Sequence, residues 1–195
     1  MKKLVLVGGL FLLSFALLTG VFLQRAQAPG MDLPVLGAVP AFSLTDTDGA
    51  ELGLEALRGK VWVADFIFTS CGGPCPAMTE AMAGVADAFK ADDRVRFVSV
   101  TVDPDTDTPE RLKEYGLKYG ARLDQWHFLT GPLEAIQKLA VEGMKVGSVE
   151  DPIIHSTRFI LVDKAGSIRG YYTGTIPEEV TQMQQAMRQL AEETA

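Results

Sequence analysis

The chain has 195 residues, room for one ordinary domain and an extra segment, and its 18 Lys+Arg against 25 Asp+Glu leave a net charge of −7. Lys2, Lys3 and Arg25 lie in or beside the first 28 residues, so the remainder sets 15 basic groups against all 25 acids, a net −10 that excludes a phosphate-tracking surface and hence a nucleic-acid partner. Hydrophobic content of 47%, with 19 Gly and 10 Pro spread along the chain, excludes disorder and collagen-like sequence.

Met1-Lys2-Lys3 precedes residues 4–23, LVLVGGLFLLSFALLTGVFL, a run without a charged side chain. Twenty residues at about 1.5 Å each make a helix of about 30 Å, the hydrocarbon thickness of a bilayer. Residues 1–23 are therefore expected to be a transmembrane anchor. The rival reading is a cleaved signal, with Ala26-Gln27-Ala28 as the site, but Pro29 beside it hinders the extended backbone a peptidase needs. Lys2 and Lys3 outweigh Arg25, which keeps the amino end inside and places the rest on the extracytoplasmic side of a single-pass cytoplasmic-membrane protein. Residues 24–40, with three prolines and two glycines and no periodicity, read as a linker, and 41–195 as the domain.

Within that domain, Phe42–Leu44 and Ala50–Leu52 flank Thr47-Asp48-Gly49, a hairpin signal. Val61–Phe68 is nearly continuous apolar sequence, as in a central strand covered on both faces, and it ends at the cysteines. A helix opens near Pro76 with Met78, Met82, Val85 and Phe89 on one stripe. Val95–Val102 is a second buried strand, and Asp107-Thr108-Pro109-Glu110 opens a helix to about Tyr119. Trp126–Leu129 reads as a short strand, and Leu133, Ile136, Leu139 and Ala140 as a helical stripe. Thr157–Val162 and Ile168–Tyr172 form a hairpin, and Pro177–Glu193 a last amphipathic helix. Alternating strands and helices with a late antiparallel hairpin give an α/β fold with a mixed sheet flanked by helices.

Chemistry rests on very few residues: Cys71, Cys75, His127 and His155 are all the cysteines and histidines. Cys71-Gly72-Gly73-Pro74-Cys75-Pro76 sets two thiols on a turn between a buried strand and a helix N-terminus, whose N–H groups and dipole stabilise a thiolate. The pair could bond to each other or hold one ion. A purely structural disulfide would close so short a loop that it would restrict the unfolded chain little. His155 stands just before an apolar strand, equally suited to a structural role or to ligation. If that strand runs beside Val61–Phe68, its entrance meets the cysteine turn. Two thiolates and one imidazole suit Cu(I) and can also take Cu(II), whereas a structural zinc site would want a fourth ligand, for which His127 is the weaker candidate. Val102-Asp103-Pro104-Asp105-Thr106-Asp107-Thr108-Pro109 lacks the spacing of a calcium loop. Asp103, nearest the strand end, is kept as a residue standing behind the ligands. Met78 and Met82 are read as core.

The strand leading to Phe68-Thr69-Ser70-Cys71-Gly72-Gly73-Pro74-Cys75-Pro76, the VTVDPDTDTPERLKEY segment, WHFLTG and HSTRFILVD together resemble the SCO/SenC family of membrane-anchored copper proteins, over roughly residues 38–190. The resemblance implies a thioredoxin-like fold, copper ligands at Cys71, Cys75 and His155, and the family's Asp at Asp103. It also implies copper delivery to, or thiol reduction of, the CuA site of cytochrome c oxidase, with a copper donor or thiol reductant protein as a further partner. Gly72 and Pro74 depart from the family's habit of Pro after the first Cys and an apolar residue before the second. The Gly-Pro-Cys end resembles the thioredoxin turn, which adds weight to redox activity. The competing function is a thiol–disulfide oxidoreductase in which Cys71 and Cys75 are the redox-active pair; a peroxide-reducing thiol enzyme is the third reading.

Overall fold

The computed structural model describes residues 31–147 and 156–193. The expected anchor of residues 1–23 and His155 both lie outside the described residues. Among those described, no helix is long and apolar enough to cross a membrane.

The strands are β1 (Gly37–Ala38), β2 (Ser43–Thr45), β3 (Glu51–Gly53), β4 (Val61–Ile67), β5 (Val95–Thr101), β6 (Trp126–Leu129), β7 (Arg158–Val162) and β8 (Ser167–Thr173). The helices are α1 (Leu54–Leu57), α2 (Cys75–Ala88), α3 (Pro109–Lys118), α4 (Leu133–Gln137) and α5 (Pro177–Glu192). Six strands form one mixed sheet in the order β1-β8-β7-β4-β5-β6, with β2 and β3 as a separate hairpin. β4–β5 and β5–β6 are parallel, and β4–β7, β7–β8 and β1–β8 antiparallel. β4 sits at the centre because it can: all seven of its residues are buried, which only a strand covered on both faces allows.

Alternation along the strands divides the core in two. Trp62, Ala64 and Phe66 of β4 and Val98, Val100 and Val102 in and after β5 pack under the β2–β3 hairpin, α1 and α4, with Leu44, Leu52, Leu57, Ile136 and Leu139. The opposite residues of these strands face α2, α3 and α5, where Met78, Met82, Met183 and Met187 are fully buried as core residues. Gly116 of α3 lets that helix lie against Phe128, since a Cβ there would fall 2.6 Å from the ring.

Two features depart from the sequence reading. The end of the linker is pinned: Gly37 and Ala38 pair with Ile168 and Ser167, and the Leu36 and Val39 N–H groups donate to Ile168 and Gly166. A two-residue strand is too short for any periodicity to announce it. The stripe after Leu133 is also not one α-helix, because α4 gives way to a π-helical turn over Lys138–Gly143 that ends at Met144. Lys145 follows with φ +56°, a left-handed conformation uncommon outside glycine.

Candidate metal centre

β4 delivers the chain to the cysteine turn, and α2 carries it away. Phe68-Thr69-Ser70-Cys71 closes on itself through the Cys71 N–H, which donates to the Phe68 carbonyl at 3.2 Å. Pro74 already has helical dihedrals (φ −75°, ψ −23°), and no side-chain oxygen caps the N-terminus of α2. Cys71 Sγ accepts the Gly73 N–H at 3.4 Å and takes further hydrogen bonds from the backbone and thiol of Cys75. Both cysteines are unbonded thiols, Cys71 partly exposed and Cys75 only 6% exposed.

This arrangement separates the two thiols chemically. Partial burial pushes Cys71 up, but the hydrogen bonds from Cys75 and Gly73 prevail and hold it below the ordinary thiol value. Cys75 is pushed up to about 12, first by burial and then because it is the proton donor in the bond to Cys71; the Phe68 backbone opposes this. Asp65 adds a further upward push from beneath the turn. The outer sulfur is thus the one poised as a thiolate, while the inner keeps its proton until something replaces it.

Asp65 itself lies within β4, fully buried beside Ser99 of β5. Burial raises it to about 7, tempered by the Ser99 hydroxyl, yet neither carboxyl oxygen completes a hydrogen bond of normal geometry. The Ser99 Oγ already accepts the Trp126 indole N–H at 3.0 Å. Sequence reasoning passed over Asp65 as one letter in an apolar run, although an acid inside an otherwise apolar central strand is itself a signal, since such groups are seldom buried without a partner.

The loop after β5 meets the turn from the side. Asp103 is half-buried and acts there through its backbone: its carbonyl accepts the Thr106 and Asp107 N–H groups, and its own N–H donates to Thr101 Oγ1 at 3.0 Å. The side chain that reaches the cysteine turn is that of Asp107, which accepts the Thr69 N–H at 3.0 Å and the Thr69 and Thr101 hydroxyls. Capping of α3 falls to Thr108, whose hydroxyl accepts the Arg111 N–H. Deeper in, Thr79 of α2 bonds the Cys75 carbonyl at 2.9 Å and the Tyr115 hydroxyl at 2.8 Å, bracing the first turn of α2 against α3.

His127 stays on the edge strand, opposite Val98 and separated from β4 by β5; burial holds its imidazole below the ordinary value, Arg96 adding to the effect. The register of β7 settles the direction of its own start. Trp62 faces Val162 and Ala64 faces Ile160, so β7 runs antiparallel to β4 and begins at the cysteine end of the sheet. Among the described residues, no three His, Cys, Asp or Glu side chains gather as a metal cluster. Cys71 and Cys75 are brought together, with Asp103 and Asp107 in the adjoining loop.

Comparison with known proteins agrees with this layout. The chain is 37% identical over 162 residues to the SCO1 protein homolog of Bacillus subtilis, covering 79% of this chain and 84% of that protein. It is 32% identical to a protein of Stutzerimonas stutzeri provisionally named as copper-binding, over 74% of each chain. Among solved structures, a SCO1/SenC family lipoprotein from Bacillus anthracis superposes with a TM-score of 0.75 at 36% identity, covering 84% of this chain and all of that one. BsSco, described as a member of the Sco family of cytochrome c oxidase assembly proteins and as carrying a disulfide switch, follows at 0.73 and 33% identity, covering 83% and 97%. The SCO1/SenC family model matches residues 36–193, from the pinned end of the linker to the close of α5, and a thioredoxin-like sheet carrying two thiols on the turn after its central strand is therefore that of a member of the SCO1/SenC family.

Proposed function

We propose that the protein binds one copper ion through Cys71, Cys75 and His155 and delivers it to, or keeps reduced the thiols of, the CuA site of cytochrome c oxidase. The observation that carries this reading is the pair of unbonded sulfurs on an exposed turn, one thiol held low by hydrogen bonds from Cys75 and Gly73 and the other buried behind it. Soft sulfur donors select Cu(I), and a set of two thiolates and one imidazole leaves room for an incoming ligand. Support for His155 comes from β7, which begins at the cysteine end of the sheet with Arg158, three positions after that residue in the sequence. Copper is the cargo. Cys71 offers the first thiolate, Cys75 gives up its proton as the second bond forms, and an acceptor thiolate approaching the exposed Cys71 side draws the ion off by ligand exchange. Loading therefore releases protons and tightens as pH rises.

The membrane setting belongs to the same proposal. The Bacillus anthracis relative is described as a lipoprotein. The apolar run 4–23 is the feature that would hold the domain at the outer face of the cytoplasmic membrane.

A second reading has its own support in the separation of the two thiols: the low outer thiolate attacks a partner disulfide and releases one partner thiolate, and the inner thiol, giving up its proton as it attacks Cys71, closes the Cys71–Cys75 disulfide and expels the second partner sulfur, so that the partner is reduced and the pair oxidised. Titrating the reduced protein with Cu(I) against a competing chelator separates the two. One equivalent of copper is expected, lost in Cys71→Ser and Cys75→Ser and sharply weakened in His155→Ala while thiol exchange persists. Undiminished affinity in His155→Ala together with fast disulfide exchange would replace copper carriage with the oxidoreductase reading.

A further inference from the structure

The carboxylate of Asp107 is fully buried and makes more directed contacts than any other acid near the cysteine turn, yet the copper chemistry above does not use it. Its Oδ2 accepts the Thr69 N–H at 3.0 Å and the Thr101 hydroxyl at 2.6 Å, while Oδ1 accepts the Thr69 hydroxyl. Each hydroxyl is fixed from its other side as well. Thr69 Oγ1 accepts Arg111 Nε at 2.8 Å, and Thr101 Oγ1 accepts the Asp103 N–H at 3.0 Å. Both hydroxyl hydrogens are thereby committed to Asp107, an acceptor-only pattern that a carboxylate supplies and an amide cannot. Arg111 Nε lies 3.9 Å from Oδ1, the nearest cation to this buried group.

The two threonines differ in what they carry. Thr101 ends β5, and its bond holds the loop of Asp103 onto that strand. Thr69 lies two residues beyond the end of β4 and two before Cys71, so its two bonds fix the backbone from which the outer sulfur projects. We infer that Asp107 is a positioning residue for the thiol chemistry: through Thr69 it sets the placement of Cys71 relative to Cys75, and its contact with Thr101 serves only to anchor the carboxylate. The inference deepens the proposed function and rests on it for the copper arm of its test, though not for the thiol arm.

The test compares Thr69→Val with Thr101→Val in the full chain, since both remove one buried hydroxyl from the same acceptor. Three quantities are measured: the thermal midpoint, Cu(I) affinity by chelator competition, and the equilibrium of the Cys71–Cys75 disulfide with dithiothreitol. Thr69→Val is expected to weaken Cu(I) binding on the order of 10–100-fold, the usual cost of losing a group that orients a ligand, and to shift the disulfide equilibrium as well. Thr69→Ser restores both. Thr101→Val, at a comparable loss of thermal midpoint, leaves both within about twofold, below what loss of an orienting group costs. Asp107→Asn follows Thr69→Val if it folds, and the threonine pair decides the matter if it does not. Equal effects of the two valine variants on the disulfide equilibrium, or no effect of either, would overturn the inference. A wild type that binds no Cu(I) but whose disulfide equilibrium still responds to Thr69→Val alone would overturn copper carriage and leave the positioning role standing.

Discussion

The two faces of the central sheet are built from different material. Under the β2–β3 hairpin, α1 and α4, the buried cluster is apolar throughout, and its one buried side-chain nitrogen or oxygen without a hydrogen bond, among the described residues, is Trp62 Nε1. Toward α2, α3 and α5, the same strands present Asp65, Ser99 and Thr101, met by Thr79, Asp107 and Tyr115. Both faces bury the strands equally well, so burial is not what distinguishes them. Polar groups are tolerated where helix α2 brings the cysteines, because that face must hold a turn in place as well as exclude water. Stability should therefore respond to pH and to charge on the helix side, and only to volume on the hairpin side.

The largest expected effect tests the helix side directly. Asp65 keeps its proton in the folded state up to about pH 7, whereas in the unfolded chain it loses it near the ordinary value of 3.8. Between those values the unfolded state binds fewer protons, so folding stability falls as pH rises, by at most about 4 kcal/mol for a shift of this size, and levels off above about 7. Asp65→Asn removes the titration. Urea unfolding between pH 4 and 8 should show a falling wild-type stability and a flatter variant; parallel slopes would mean that Asp65 is hydrated or partnered in the folded protein.

On the hairpin side, Ile136 of α4 is fully buried in the apolar cluster. Ile136→Ala should cost about 3 kcal/mol through lost transfer energy and the cavity left behind, with no pH dependence of its own and no change in thiol reactivity toward an alkylating probe. Altered reactivity of Cys71 in that variant would show that the two faces are mechanically coupled, and the contrast drawn above would fail. Gly116→Ala probes the closest approach on the other face. The added Cβ would meet the Phe128 ring at 2.6 Å, and that ring is held by stacking on Trp126 at 5.0 Å. Overpacking of about 3 kcal/mol outweighs the gain of about 1 kcal/mol from replacing a helical glycine, leaving a net loss of about 2 kcal/mol in chemical denaturation.

The contrast between faces also marks what could be read from the letters. The positions of the main strands followed from apolar runs bounded by turn residues, and the thiol pair from its place before Pro76, because both signals are local. The linker's pinned end, the π-helical turn after α4 and the Asp107 clamp were not legible, since each depends on where distant backbone or side chains come to rest. Asp103 drew attention by standing next to the strand, but four residues of loop carry Asp107 back over Thr101 and Thr69. Asp65 was readable in principle as a charge in a buried strand.

The smallest effect separates capping from positioning within the Asp107-Thr108-Pro109 run. Thr108 is exposed, and its hydroxyl accepts the Arg111 N–H at a long 3.3 Å and also bonds the Glu110 carboxylate, while Pro109 has no N–H to satisfy and presets the first helical φ. Thr108→Ala should cost about 0.5–1 kcal/mol, the lower part of the range for a lost helix cap, and Thr108→Ser almost nothing. Because α3 also carries Arg111 and Tyr115 to the cysteine turn, fraying of its first turn could in principle reach the sulfurs. The depth of the clamp argues otherwise: Asp107 lies outside the helix, is fully buried, and keeps both threonines without help from the cap. The Cys71–Cys75 disulfide equilibrium with dithiothreitol in Thr108→Ala should therefore match wild type while the unfolding midpoint drops. A shift in that equilibrium would place the cap within the machinery that holds the turn and extend the polar face of the sheet by one more residue.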